Sequence, residues 1–343
     1  MTHSGSSPQD VPADYDGGEA SQLRLDPLTG RWVVVNVGRA GRMGAFARPS
    51  LEVEPLHGRP CPFCPGHDGD TKPIDEYGAQ GGQWQVRVLH NRYPVFSGDD
   101  ALVVAHSGPV FSQAPASGTH EVVVISPRHD GSWESLDDDQ AGLVMEAICN
   151  RLADHAERPS LRYSQVIVNA GREAGASLEH PHAQLLGMPF VPRELGDEQA
   201  GFVRFVGNCI LCTTVAAEQA VGWRIVKADD DVVLICPFWS GTPYEMLLLP
   251  RSHASHMHNA SPQVTGSVGR AIRDAISMLH ATVGEVAYNI VFHSAPYRYS
   301  GAYHWHVHIL PKLTTLAGFE LGTGVFVNIV SPERAASELR GEA

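Results

Sequence analysis

"HPHAQ", at His180-Pro181-His182-Ala183-Gln184, decides how this chain is read. It sets two imidazoles and an amide on alternate residues, and in an extended strand residues two apart point to one face. A second strip, "HWHVH" at His304–His308, follows 124 residues later. His129 precedes His180 by 51 residues, and His253 precedes His304 by the same 51. Asn169 and His293 each stand 11 residues before their strip. A Cys-x-x-Cys pair opens each series, at Cys61/Cys64 and at Cys209/Cys212. Offsets that survive a helix and two strands imply a tandem duplication, with halves of roughly 140 residues rather than a short-period solenoid.

The elements between the strips support that reading. "THEVVVISPRH" alternates as a strand ending at His129, and a helix follows with Ser135 as N-cap and Leu143, Val144, Ala147, Ile148 and Leu152 as its apolar stripe. "YSQVIVNAG" is the next strand. The second half repeats the order: the strand "YEMLLLPRSH", a helix opening at Ser261-Pro262, the strand "AYNIVFHSAP". Strands with one long helix per half predict an α+β fold, antiparallel sheets with helices packed on one face. Pro181 brings no backbone donor, so the first strip is predicted at a sheet edge or a local interruption. The organisation expected is a disordered arm over 1–21, a half carrying the chemistry over 22–195, and a second half over 196–343.

Composition narrows the function. The net charge of −13 argues against a nucleic-acid surface, although a few arginines suffice for a small phosphorylated ligand. No apolar run is long enough to span a membrane, and the polar N-terminus has no signal-like h-region, which suggests a cytoplasmic chain. Six cysteines in such a chain stay reduced, and two Cys-x-x-Cys pairs suggest zinc before disulfides. Zinc takes about four N or S ligands. Each half supplies them in the same order: Cys61, Cys64, His129, His180, then Cys209, Cys212, His253, His304. His120 is an alternative to His129, but it lies inside its strand and has no visible counterpart. About two zinc ions per chain are therefore expected.

With His180 on a metal, His182 is left on the same face with no serine or cysteine beside it. A free imidazole can itself be the nucleophile, and a phosphoramidate passes its group on. Gln184 can donate to a phosphoryl oxygen without adding charge. "NAGREAGAS" upstream, with Asn169 and Ser177, can bring backbone N–H groups to a phosphate. In the second strip His306 replaces His182, His308 replaces Gln184 and His293 replaces Asn169, which looks like a metal site or a degenerate one.

These residues resemble the galactose-1-phosphate uridylyltransferase family, a branch of the histidine-triad superfamily. "DPLTGRWVVVNVGRAGR", "CPFCPG", "HNRYPVF", "NAGREAGAS", "HPHAQ" and "AGFELGTG" carry the resemblance, from about residue 22 nearly to the end. It implies a homodimer and a ping-pong reaction, in which His182 takes UMP from UDP-glucose and passes it to galactose 1-phosphate. It implies Asn169, Ser177 and Gln184 at the phosphoryl groups, Asn91 near the nucleotide, Phe319 and Glu320 at the substrate, and Arg39 and Arg42 on the sugar phosphate from across a subunit interface. In one branch the second half holds iron through a glutamate and three histidines, and Glu198, His293, His306 and His308 stand at the matching places. Cys209 and Cys212 resemble a two-zinc branch instead, some of whose members are nucleotide-sugar phosphorylases. "LGTGVFVN" lacks the glutamine that the galactose branch places near the sugar. The alternatives are thus a nucleotide-sugar phosphorylase or adenylyltransferase of the same family, with inorganic phosphate or another sugar phosphate as acceptor, and a zinc-stabilised binding module without activity. The base, the sugar and the metal of the second half stay open at this point.

Overall fold

The duplication is built as one sheet. The structure, a computed structural model, describes residues 21–39, 60–67, 72–78 and 82–342. The arm expected over 1–21 lies, save residue 21, outside them. The first repeat contributes β1 (Gln22–Leu25), β2 (Trp32–Val35), β3 (Asp75–Tyr77), β4 (Val86–His90), the hairpin of β5 (Ala105–Ser107) and β6 (Phe111–Gln113), β7 (Thr119–Val124), α1 (Asp138–Ala156), β8 (Tyr163–Ala170) and β9 (His182–Met188). Two helices lead into the second repeat, α2 (Arg193–Arg204) and α3 (Ile210–Val221). There follow β10 (Ile225–Ala228), β11 (Val232–Ile235), β12 (Met246–Pro250), α4 (Pro262–Val283), β13 (Tyr288–His293), β14 (His306–Pro311), α5 (Gly318–Thr323), β15 (Phe326–Asn328) and α6 (Pro332–Leu339). The division expected at 195/196 falls inside α2.

Ten strands run in the order β10-β11-β12-β14-β13-β8-β9-β7-β4-β3. The halves meet at β8 and β13, antiparallel, with Asn289 opposite Asn169 and Phe292 opposite Val166. Alternation then sorts the side chains. Val166, Val168, Ala183, Leu185, Ile290, Phe292, Val307 and Ile309 face α1 and α4 in the main core. His182, Gln184, His306 and His308, being the alternate residues, face the other way. The two long helices pack closely: a Cβ on Gly269 of α4 would sit 2.4 Å from the Ala141 carbonyl of α1. β1, β2 and β15 form a separate small sheet that joins the two ends of the described chain. Among the described residues no helix is long and apolar enough to cross a membrane.

Three expectations change. The long helix starts later than Ser135: Asp137 is its N-cap and accepts Gln140 N–H at 2.8 Å, while Ser135 closes a preceding 3-10 turn. Pro181 does not mark an edge. The strand begins one residue after it, and β9 lies inside the sheet between β7 and β8. The helices also do not all share one face. β11 and β12 read "VVLI" and "MLLLP" and are buried on both sides. A strand without polar alternation must be covered twice, and α2 and α3 supply the second cover through Leu195, Phe202, Ile210, Leu211 and Val215.

Candidate active site and metal centres

Cys61, Cys64, His129 and His180 come together, and so do Cys209, Cys212, His253 and His304, each set with its ligand atoms within 4.8 Å. Cys61 and Cys64 Sγ lie 3.7 and 3.6 Å from His180 Nδ1, and Cys64 Sγ lies 3.5 Å from His129 Nδ1. The second set gives 3.7, 3.4 and 3.5 Å. Tetrahedral bonds of about 2.3 Å to sulfur and 2.05 Å to nitrogen require an S···N edge of about 3.6 Å. The donor sets therefore fit a tetrahedral ion. Orientation agrees: His180 Nε2 bonds the Ser126 carbonyl at 2.8 Å and His304 Nε2 the Pro250 carbonyl at 3.0 Å. This aims Nδ1 at the sulfurs, the usual support for a ligating histidine. Burial and the adjacent Cys209 push the Cys212 thiol up to about 12, so a cation is needed to make it a thiolate at neutral pH. Of the two histidines weighed for the first set, His129 joins it and His120 does not.

His182 stands at the start of β9, buried, beside the first centre. Its Nδ1 lies 2.8 Å from the carbonyl of His180. Nδ1 must donate there, so the lone pair is on Nε2, which no protein group takes among the described residues. Burial lowers its pKa, so the ring is neutral and nucleophilic at pH 7. Phe63, between the metal-site cysteines, packs on its ring at 5.2 Å between centroids. A cavity of about 310 Å³ reaches His182 and Asn169, room for part of a nucleotide sugar.

The loop before the strip keeps its glycines for conformation. Gly171 and Gly175 have φ of 84° and 87°, flanking a 3-10 turn at Arg172–Ala174. Asn169 Oδ1 and the Ala174 carbonyl both accept from Asn289 of the second half, at 2.8 and 2.9 Å. Ser177 is exposed in the same loop. Gln184 Oε1 is 2.9 Å from His120 Nε2, and Asn91 Nδ2 is 3.1 Å from that same nitrogen. His182, Gln184, Asn169 and Asn91 are thus gathered on one side of the sheet. Phe319 is exposed on α5, and Glu320 caps that helix by accepting Ala317 N–H at 3.0 Å; neither lines the His182 cavity. Arg39 ends a 3-10 turn, with its side chain outside what is described, and Arg42 lies outside the described residues. Phe63, His120 and Asn289 are the neighbours that sequence reasoning missed as parts of the active site.

The second strip copies the geometry and changes the outcome. His306 Nδ1 bonds the His304 carbonyl at 2.9 Å, as His182 does that of His180. Its Nε2, however, faces Glu198 Oε1 at 3.6 Å. Glu198, His293, His306 and His308 form a third cluster, disjoint from the second Cys₂His₂ set. The same half can hold both, so the two sets are not alternatives. Burial acts to raise the Glu198 carboxyl, but His293 and His306 overcome it and hold it well below the usual carboxylate range. Tyr303 hydroxyl donates to its other oxygen at 2.5 Å. His306 and His308 Nε2 are buried without hydrogen-bond partners, as suits metal ligands and not a nucleophile approached by substrate.

Comparison with known proteins adds to this geometry. The family model described as galactose-1-phosphate uridyl transferase, N-terminal domain, matches residues 13–192, and one for a domain of unknown function (DUF4921) matches 113–340. An ADP-glucose phosphorylase of Arabidopsis thaliana is 28% identical over 94% of this chain and 93% of its own. A galactose-1-phosphate uridylyltransferase of Thermotoga maritima is 27% identical over 93% and 98%. A crystal structure of an ADP-glucose phosphorylase from Arabidopsis thaliana with bound ADP-glucose superimposes with a TM-score of 0.79 at 26% identity, covering 94% of this chain and 99% of that one.

Proposed function

The chain belongs to the galactose-1-phosphate uridylyltransferase family, and from that premise we propose that it transfers a nucleotidyl group between phosphorylated sugars through His182. The carrying observation is the free Nε2 of His182 beside the cavity, set against the Nε2 of His306, which is buried inside the Glu198–His293–His308 cluster. Nε2 attacks the α-phosphorus of a nucleotide sugar, the P–N bond forms, and the sugar 1-phosphate leaves. An acceptor phosphate then takes the nucleotidyl group and frees the imidazole. Gln184 and Asn169 hydrogen-bond the charge that develops on the phosphoryl oxygens. The Cys₂His₂ centres carry zinc, which is structural: it closes each half and holds His180, and hence the carbonyl that orients His182. Arg39 and Arg42 bind the sugar phosphate from across a homodimer interface, and Phe319 and Glu320 contribute to substrate binding.

One reading is a UDP-glucose–hexose-1-phosphate uridylyltransferase acting on galactose 1-phosphate. The second is phosphorolysis of a nucleotide sugar such as ADP-glucose, supported by the full-length phosphorylase relative, by the second Cys₂His₂ set, and by the missing glutamine after Glu320. Intact-mass measurement after mixing with UDP-glucose or ADP-glucose is expected to show one nucleotidyl adduct, on the peptide bearing His182. Chasing the adduct with galactose 1-phosphate or with inorganic phosphate separates the two readings. An adduct on another peptide refutes both.

A further inference from the structure

An amide helps a phosphate only if its N–H₂ end, not its oxygen, faces it. Asn91, Asn169 and Gln184 lie on the His182 side of the sheet, and each of these three has its oxygen already engaged. Asn91 Oδ1 accepts Tyr93 N–H at 2.8 Å. Asn169 Oδ1 accepts from Asn289 Nδ2 at 2.8 Å, and the other hydrogen of Asn289 goes to the Ala174 carbonyl at 2.9 Å. Gln184 Oε1 lies 2.9 Å from His120 Nε2. The direction of this last bond follows from the opposite ring nitrogen. Val95 N–H donates to His120 Nδ1 at 3.2 Å. A backbone N–H cannot be turned round, so the neutral ring carries its proton on Nε2 and gives it to Gln184. Asn91 Nδ2, 3.1 Å from that Nε2, meets a donor and must direct its own hydrogens elsewhere.

We propose that His120 and Asn289 are positioning residues: their N–H groups pin the oxygens of Gln184 and Asn169, so that both N–H₂ ends face the phosphoryl group carried by His182. This rests on the nucleotidyl-transfer reading above. Asn289 belongs to the second half and reaches Asn169 across the β8–β13 pairing, so the half without a nucleophile orients a ligand-binding group of the half that has one. The offset of 124 residues that takes His129 to His253 takes His120 to Tyr244 and Gln184 to His308. Tyr244 bonds Glu338 instead. The pinned amides therefore accompany the free imidazole and not the fold as such.

The test is the single-turnover rate of adduct formation at His182, by rapid quench with UDP-glucose and ADP-glucose. His120→Leu and Asn289→Asp, which keeps its shape and loses both N–H donors, are each expected to slow the step about 5- to 10-fold, the range one hydrogen bond is worth, with substrate affinity nearly unchanged. In a Gln184→Ala background, His120→Leu should slow it by less than about twofold further, and Asn289→Asp likewise in Asn169→Ala, because each pair acts as a unit. His120→Gln, which still offers an N–H, should recover most of the rate. Metal content should stay that of the wild type throughout. Equal factors in both backgrounds overturn the proposal, as does a full-rate Asn289→Asp, which also decides the matter if His120→Leu fails to fold. A wild type that forms no adduct removes the parent reading and this one together; an adduct with additive cycles removes this one alone.

Discussion

Serine in place of Cys64 and serine in place of Cys212 form a matched pair of perturbations. Each removes one ligand from a Cys₂His₂ centre, and each centre ties together distant parts of the chain. The first joins residues 119 apart, Cys61 to His180, and the second residues 95 apart, Cys209 to His304. Closing loops of these lengths removes about 4.9 and 4.7 kcal/mol of unfolded-chain entropy at 25 °C, on the chain-entropy relation used for cross-links. The two variants should therefore lose nearly equal stability, about 5 kcal/mol. At about 2.1 cal/mol/K per residue over 343 residues this lowers Tm by about 7 °C. Activity should separate them. His180 belongs to the first Cys₂His₂ cluster and also supplies the carbonyl that holds His182 Nδ1, and Phe63 leans on the His182 ring. Losing the first ion loosens the nucleophile on two sides, and a cost of about 10- to 100-fold in adduct formation is expected. On the proposed reading His306, the corresponding residue at the second centre, is not the nucleophile, so Cys212→Ser should slow adduct formation far less than Cys64→Ser does. The assays are metal analysis by mass spectrometry, thermal melts, and rapid-quench nucleotidylation at a temperature where both variants are folded. Equal losses of rate in the two variants refute the assignment of His182 as nucleophile, and retention of both ions in either variant refutes the ligand sets.

Other outcomes follow from named contacts. His182→Gly should abolish adduct formation, whereas His306→Asn should leave most of it and alter metal content, read by intact mass and elemental analysis. Gly269→Ala should cost about 1–3 kcal/mol by forcing α4 away from Ala141, visible as a lower denaturation midpoint with unchanged slope. Glu121 is buried, which would raise its carboxyl, but His155 and Arg151 overcome this and bring it down to about 2. A carboxyl depressed in the folded state stabilises above its unfolded value, and that contribution is lost as pH falls from about 4.5 towards 2. Glu121→Gln should thus be less stable than the wild type at pH 7, by roughly 3 kcal/mol, with the gap narrowing over that acid window in denaturant titrations.

The repeat was legible because its evidence is local in kind: identical residue types at identical offsets, with alternation and caps between them. The two Cys₂His₂ clusters were legible for the same reason, and so was the change in surroundings between His182 and His306, since His308 stands where the first strip has Gln184. What escaped depends on register across strands. That Val122 lies opposite Gln184, which brings His120 diagonally to the amide, follows from pairing that no single strand records. The same holds for Asn289 beside Asn169, which needs β13 to meet β8. Phe63 reads as filler between two cysteines until the metal loop folds over His182. The second covering layer could have been anticipated, since "VVLI" and "MLLLP" offer no polar face to water.

The meeting of β8 and β13 has a consequence for any attempt to cut the chain in two. Separated, each half would carry a bare inner edge, Tyr163–Ala170 or Tyr288–His293, with unpaired amides and alternate apolar side chains. Such an edge recruits another strand, and the nearest complement is a second copy of the same half. The linking segment through α2 and α3 prevents this by keeping the correct partner at an effective concentration that intermolecular pairing does not reach, of millimolar order for short flexible tethers. The intact chain is in this sense a dimer whose subunits cannot dissociate, and because they no longer need to be identical, one carries Asn169 and Gln184 beside its histidine where the other carries His293 and His308.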